Sequence, residues 1–135
     1  MESCTGGLLS DTITSVPGSS RYFIGGIVAY SNELKIKYGV TSDTINRFGA
    51  ISVEVAQEMA HAARTSMSTD IGIGITGVAG PDSLEMKPVG TVHIAIEHQE
   101  FTDVFTHVYN GSRRHIQQRS VIQVVSKLLE HLKGL

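Results

Sequence analysis

The sequence predicts an α/β domain built as a three-layer sandwich, a mixed β-sheet with helices on both faces. Two patterns carry this. Helical and strand-like stretches alternate through the first two thirds of the chain, whereas a pair of strand-like stretches joined by a short turn comes late. Length supplies a third observation: 135 residues suit one domain, enough to bury roughly 70% of the unfolded surface.

Taken in order, residues 5–15 (TGGLLSDTITS) read as a short helix ended by Val16-Pro17-Gly18. Residues 22–30 read as a strand, in which Gly25-Gly26 lets another backbone come close. Residues 34–38 form a helical turn closed by Gly39, and Ser42 caps a short helix ending before Gly49. Ser52 begins the clearest amphipathic helix, with Val55, Met59, Ala63 and Met67 on one stripe. Residues 70–76 (DIGIGIT) are a strand, followed by a loop from Gly77 to Pro88. Residues 89–97 and 101–109 form two further strands joined tightly by His98-Gln99-Glu100. Ser112 opens a last helix whose Val121, Val124, Leu128 and Leu132 face the core.

Composition narrows the function classes. With 41% hydrophobic and 18% charged residues the chain is globular rather than disordered. A net charge of −2 argues against a non-specific nucleic-acid binder. No apolar run approaches the roughly 20 residues of a membrane helix, and no basic-then-apolar leader opens the chain. The single cysteine, Cys4, allows no internal disulfide and fits a reducing, cytoplasmic setting. The six histidines lack metal-ligand spacing and read as scattered surface or core residues.

Several segments carry candidate chemistry. Gly72-Ile73-Gly74-Ile75-Thr76-Gly77 matches GxGxxG but is rejected as a dinucleotide site. That motif needs a helix opening at its third glycine, whereas these glycines alternate with isoleucines as in a strand. They leave room for a ligand or another backbone. Glu2-Ser3-Cys4-Thr5-Gly6-Gly7 precedes a helix whose free amides suit an anion or a developing oxyanion; a plain N-cap explains it as well. Pro17-Gly18-Ser19-Ser20 has ordinary turn composition. Tyr30-Ser31-Asn32-Glu33-Leu34-Lys35 sets a phenol one helical turn from an amine. A desolvated lysine can act as the base that a serine nucleophile needs, although a surface lysine and half-buried tyrosine are the commoner fates. Gly111-Ser112-Arg113-Arg114 reads equally as a phosphate site at a helix start or as a solvated basic patch.

Together these segments are more specific than any one. Glu2-Ser-Cys-Thr-Gly-Gly7, Val16-Pro-Gly-Ser-Ser20, Tyr30-Ser-Asn-Glu33 with Lys35, Gly49-Ala-Ile-Ser52, Gly74-Ile-Thr-Gly-Val-Ala-Gly-Pro81 and Lys87-Pro-Val-Gly-Thr-Val92 occur in order. The series resembles the C-terminal domain family of the competence/damage-inducible protein CinA, which also occurs alone as the nicotinamide mononucleotide deamidases. The resemblance covers nearly the whole chain. It implies metal-free, cofactor-free hydrolysis of the nicotinamide mononucleotide carboxamide to nicotinic acid mononucleotide and ammonia. It assigns Ser3, Tyr30 and Lys35 to catalysis: Ser3 as nucleophile, Lys35 as its base, Tyr30 relaying or positioning the proton. It places Thr5, Gly6 and Gly7 at the oxyanion, Ser20 and Thr76 in the substrate pocket and Arg113 at the phosphate. It also implies a homo-oligomer, a dimer or larger. The activity of CinA's N-terminal nucleotide-pyrophosphatase domain is not carried over.

Three departures from the family pattern accompany the match. The family's usual first helix and strand, before Glu-Ser-Cys, are expected to be missing from this domain (residues 1–135) and to be encoded upstream of Met1. Asp82-Ser83-Leu84 stands where many relatives have Asp-Gly-Gly, and Gln117 where a second arginine is common. Besides the amidohydrolase, two other readings remain: a non-catalytic mononucleotide-binding module, and a subunit that uses the fold only for assembly.

Overall fold

The computed structural model describes residues 1–135 as an α/β fold. Its helices are α1 (Leu8–Thr14), α2 (Asn32–Lys37), α3 (Ser42–Phe48), α4 (Val53–Met67) and α5 (Arg113–Gly134). Its strands are β1 (Gly72–Gly77), β2 (Thr91–Glu97) and β3 (Thr102–Val108), paired antiparallel in the order β1-β2-β3. Residues around Glu2 extend this sheet in the parallel sense, bridging Ile75 on one side and Val28 on the other. The Ser3 amide donates to the Ile75 carbonyl at 3.0 Å, and the Glu2 amide to the Ile27 carbonyl at 2.8 Å. The sheet is therefore mixed, and the Glu-Ser-Cys segment lies inside it.

Strand alternation divides the core. Ile75, Val92 and Ile94 point to one face and pack with Leu9 of α1 and with Ile116, Val121 and Val124 of α5. The opposite face carries α4, whose Ala56 and Ala60 pack on Ala95, while Val55 and Met59 pack with Ala29 and Val40. Here the strand glycines find their reason. A Cβ on Gly74 would lie 2.1 Å from the Ala56 carbonyl oxygen, and one on Gly72 would lie 2.1 Å from that of Ala60. The room they leave is filled by the backbone of α4.

Side-chain caps begin two helices as their sequences suggest: Ser52 and Ser112 accept from the amides of Val55 and His115. Ser31, not singled out as a cap from sequence, accepts from the Leu34 amide, so α2 opens at Asn32 rather than at Leu34. The cap of α3 is Thr41 rather than Ser42, which already has helical geometry. The hairpin closes through reciprocal bonds between the backbones of His98 and Phe101.

Two expectations need correction. Residues 22–30 form no regular strand: only the backbone around Val28 pairs, and Tyr22, Ile24 and Tyr30 are exposed. Gly25-Gly26 weakens extended propensity, and this edge has no further neighbour to pair with. At Gly26 a side chain rather than another backbone comes close, since an added Cβ would lie 2.2 Å from the Ser10 hydroxyl. The second correction concerns α5, where Leu128 is only half-buried and Leu132 is exposed. A 22-residue helix runs about 33 Å, whereas seven-residue strands run only about 23 Å. Its last turns pass beyond the sheet.

Candidate active site

A cleft of about 370 Å³ opens where the Glu-Ser-Cys segment, the start of α2, the 49–52 turn, the loop after β1 and the start of α5 converge. That volume lies within the range of roughly 300–1,000 Å³ common for small-molecule sites. Its lining includes Ser3, Tyr30, Lys35, Thr76 and Arg113, which are scattered over more than a hundred positions in sequence. Thr5, Gly6, Gly7 and Ser20 do not line it.

Ser3 is 7% exposed, and its hydroxyl has no hydrogen-bond partner in the chain, although its backbone is fixed in the sheet. Lys35 is 2% exposed, and its ammonium donates to the Tyr30 carbonyl at 3.0 Å. Burial pulls the Lys35 pKa below the ordinary lysine value, partly opposed by the negative charge of Glu85. A buried lysine with one polar contact and a lowered proton affinity is chemically suited to accept a proton.

Tyr30 divides its contacts. Its carbonyl holds Lys35, while its phenol oxygen accepts from Arg113 at 2.8 Å. The other arm of the same guanidinium donates to the Gly80 carbonyl at 2.6 Å. Arg113 thus ties the start of α5 to the loop after β1 and to the phenol, and remains exposed on the cleft. Thr76 directs its hydroxyl to the Ala50 carbonyl at 2.8 Å, so its polar group holds the 49–52 turn.

The loop ahead of α1 has a different occupant from the one its composition suggests. The Glu2 carboxylate accepts from the amides of Leu9 and Ser10 and from the hydroxyls of Thr5 and Ser10, between 2.7 and 3.0 Å. The helix start is therefore filled by the chain's own anion, and the Thr5 hydroxyl is bound to it. The Gly6 amide donates to the Ser3 carbonyl. The amides of Cys4, Thr5 and Gly7 have no acceptor in another residue, and of these three residues only Cys4 lines the cleft.

Cys4 itself is 5% exposed and belongs to the α5-side core. Burial pushes its thiol up to about 12, so it carries no thiolate at neutral pH. Gln117 donates to its carbonyl at 3.0 Å, which gives the departure at that position a structural task.

Sequence reasoning missed Glu85. Its carboxylate accepts from the amides of Ala50 and Ile51, both at 3.0 Å, and meets the Lys87 ammonium at 3.3 Å. Partial burial would raise its pKa, but the two amides and Lys87 outweigh that and hold it below the usual carboxylate range. The only local signal was an acid and a base two residues apart after Gly80-Pro81. Their partners lie more than thirty positions away.

Comparison with known proteins agrees with the motif series. The CinA C-terminal domain family matches residues 1–132. A CinA-like protein of Thermotoga maritima is 45% identical over 136 residues, covering 98% of this chain and 33% of its own length. A CinA-like protein of Acidobacterium capsulatum is 44% identical over 133 residues, covering 95% of this chain and 32% of its own. The chain spans about a third of the length of these curated relatives. A crystal structure of a competence or damage-inducible protein from Enterobacter asburiae superposes with a TM-score of 0.94 at 32% identity, covering 97% of this chain and 84% of that one. A CinA superfamily protein from Klebsiella pneumoniae gives 0.96 at 29% identity, covering 99% and 85%. No helix is long and apolar enough to cross a membrane. Motif order, fold and relatives lead to one assignment: the chain belongs to the CinA C-terminal domain family.

Proposed function

We propose that this domain is an amidohydrolase that converts nicotinamide mononucleotide to nicotinic acid mononucleotide and ammonia. The observation that carries the reading is the pairing in one cleft of a serine hydroxyl without a partner and a lysine 2% exposed with a lowered pKa. Neutral Lys35 takes the Ser3 proton as Oγ attacks the carboxamide carbon. The tetrahedral intermediate then expels ammonia, which leaves with the proton held by Lys35, and an ester on Ser3 remains. A water molecule, deprotonated by Lys35, attacks the ester, and the acid is released as Lys35 returns that proton to the departing Ser3 Oγ. The developing oxyanion is received by the Cys4 amide. Tyr30 positions Lys35 through its carbonyl and Arg113 through its phenol. Arg113 offers its guanidinium to the phosphate. No step calls for a metal or cofactor.

A second reading, a non-catalytic mononucleotide-binding module, draws on the exposure of Tyr30 and on the exposed Arg113 guanidinium at the same cleft. One experiment separates the two. Purified chain incubated with nicotinamide mononucleotide is followed for ammonia and, in parallel, for melting temperature. Ammonia release supports the hydrolase. A ligand-dependent rise in melting temperature without ammonia supports the binding module and overturns the hydrolase.

A further inference from the structure

The loop between β1 and β2 contains two adjacent non-glycine residues in the left-handed region, Glu85 at φ 53° and Met86 at φ 59°. Side chains rarely adopt this conformation, and it persists where other contacts over-determine it. Those contacts converge on one carboxylate. Glu85 accepts the Ala50 and Ile51 amides and pairs with Lys87, whose ammonium also donates to the carbonyls of Phe48 and Ile51. Gly49 suits this approach: its φ of 82° is one that side chains rarely adopt, and an added Cβ would meet the Glu85 carboxylate. Thr76 holds the same turn from the sheet side. Glu85 therefore sits at a fixed place in the wall of the cleft that contains Lys35.

The ionisable groups lining this cleft are Cys4, Tyr30, Lys35, Asp82, Glu85 and Arg113. Cys4 stays a neutral thiol well above neutral pH and supplies no charge. Asp82 makes no hydrogen bond or ion pair to protein that would fix it, whereas Glu85 has three fixed partners. We propose that Glu85 is a positioning residue that pins the 50–51 wall of the cleft and holds a fixed negative charge in the cleft that Lys35 shares. The opposition of Glu85 to the effect of burial on Lys35 agrees with this. The role of Glu85 in catalysis rests on Lys35 acting as base; its electrostatic effect on Lys35 does not.

The test is an NMR titration of the Lys35 side chain in the whole chain, without substrate, for the parent, Glu85→Gln, Glu85→Asp and Lys87→Met. Glu85→Gln keeps a carbonyl acceptor for the wall and removes the charge. The Lys35 midpoint should fall by about half a pH unit or more, stay near the parent value in Glu85→Asp, and rise in Lys87→Met, where a positive charge is lost. A structural role alone would not produce shifts of opposite sign. A Glu85→Gln midpoint equal to the parent's overturns the proposal, as does a Lys87→Met shift in the same direction as Glu85→Gln. Should Glu85→Gln fail to fold, the double variant Glu85→Gln/Lys87→Met replaces it, and a double-variant midpoint that stays at the Lys87→Met value overturns the proposal. In the deamidation assay the acidic limb of kcat should move to lower pH in Glu85→Gln, because Lys35 loses its proton earlier. A parent that releases no ammonia ends the hydrolase reading, while the titration still decides the coupling.

Discussion

The Glu2 carboxylate gives the sharpest stability expectation. It is 2% exposed and meets four donors: the Thr5 and Ser10 hydroxyls and the Leu9 and Ser10 amides. Glu2→Gln preserves the shape but offers one acceptor oxygen where two were used, and brings two N–H groups toward groups that are themselves donors. Losing about two charge-assisted bonds costs about 1.5–3 kcal/mol each, and losing the negative charge at the start of α1 adds about 0.3–1 kcal/mol. An amide is easier to bury than a carboxylate, which offsets part of this. The net expectation is a loss of about 2–4 kcal/mol. The assay is urea unfolding followed by far-UV circular dichroism. The midpoint should fall while the m-value holds, because the surface exposed on unfolding is unchanged. Glu2→Asp should lose less, since it keeps the charge but cannot span all four donors. A Glu2→Gln midpoint within about 0.5 kcal/mol of the parent would refute the claim that this carboxylate caps α1.

Three further outcomes are expected. Gly74→Ala sets a methyl 2.1 Å from the Ala56 carbonyl and 2.7 Å from the Ala60 amide, so α4 must lift from the sheet; a thermal scan should show a loss of about 1–3 kcal/mol or more, and an unchanged melting temperature would contradict the packing. Lys35 binds fewer protons folded than unfolded between its lowered pKa and the ordinary value, so its contribution to stability grows as pH rises through that window. Lys35→Met should flatten that rise in urea midpoints measured from pH 7 upward, and an unaltered slope would deny the shift. Arg113→Ala removes the contacts to Gly80 and Tyr30 and should raise KM for the mononucleotide by about tenfold or more, the equivalent of 1.5–3 kcal/mol; an unchanged KM removes Arg113 from the phosphate.

Much of the fold was legible because local signals agreed with packing. Ser52 and Ser112 cap the helices they precede, the period-two alternation of Gly72–Gly77 marks a strand, and His98–Phe101 closes the hairpin. Residues 22–30 misled because their apolar content suggested burial, whereas they run along an edge with no outer neighbour. Leu132 misled because helical periodicity shows which side faces the core but not where the core ends. The family resemblance identified residues that the structure brings together, Ser3, Tyr30, Lys35, Thr76 and Arg113, despite their separation in sequence. The filling of the α1 start by Glu2 was hidden, since a loop of hydroxyls and glycines shows free amides without showing which anion reaches them first. Glu85 was hidden for a similar reason: its partners lie on a turn distant in sequence, and only folding sets the acid against those amides.

The measurement that tests the central claim most directly is ammonia release from nicotinamide mononucleotide by the parent chain, Ser3→Ala and Cys4→Ala, compared at equal melting behaviour. Both Ser3 and Cys4 touch the cleft, but Cys4 lies in the turn after Ser3, packs into the α5-side core and has its thiol pKa pushed up to about 12 by burial. The expected result is release by the parent and by Cys4→Ala, with nearly all release lost in Ser3→Ala. Release that survives Ser3→Ala and disappears in Cys4→Ala, or a parent that releases none, would contradict the account.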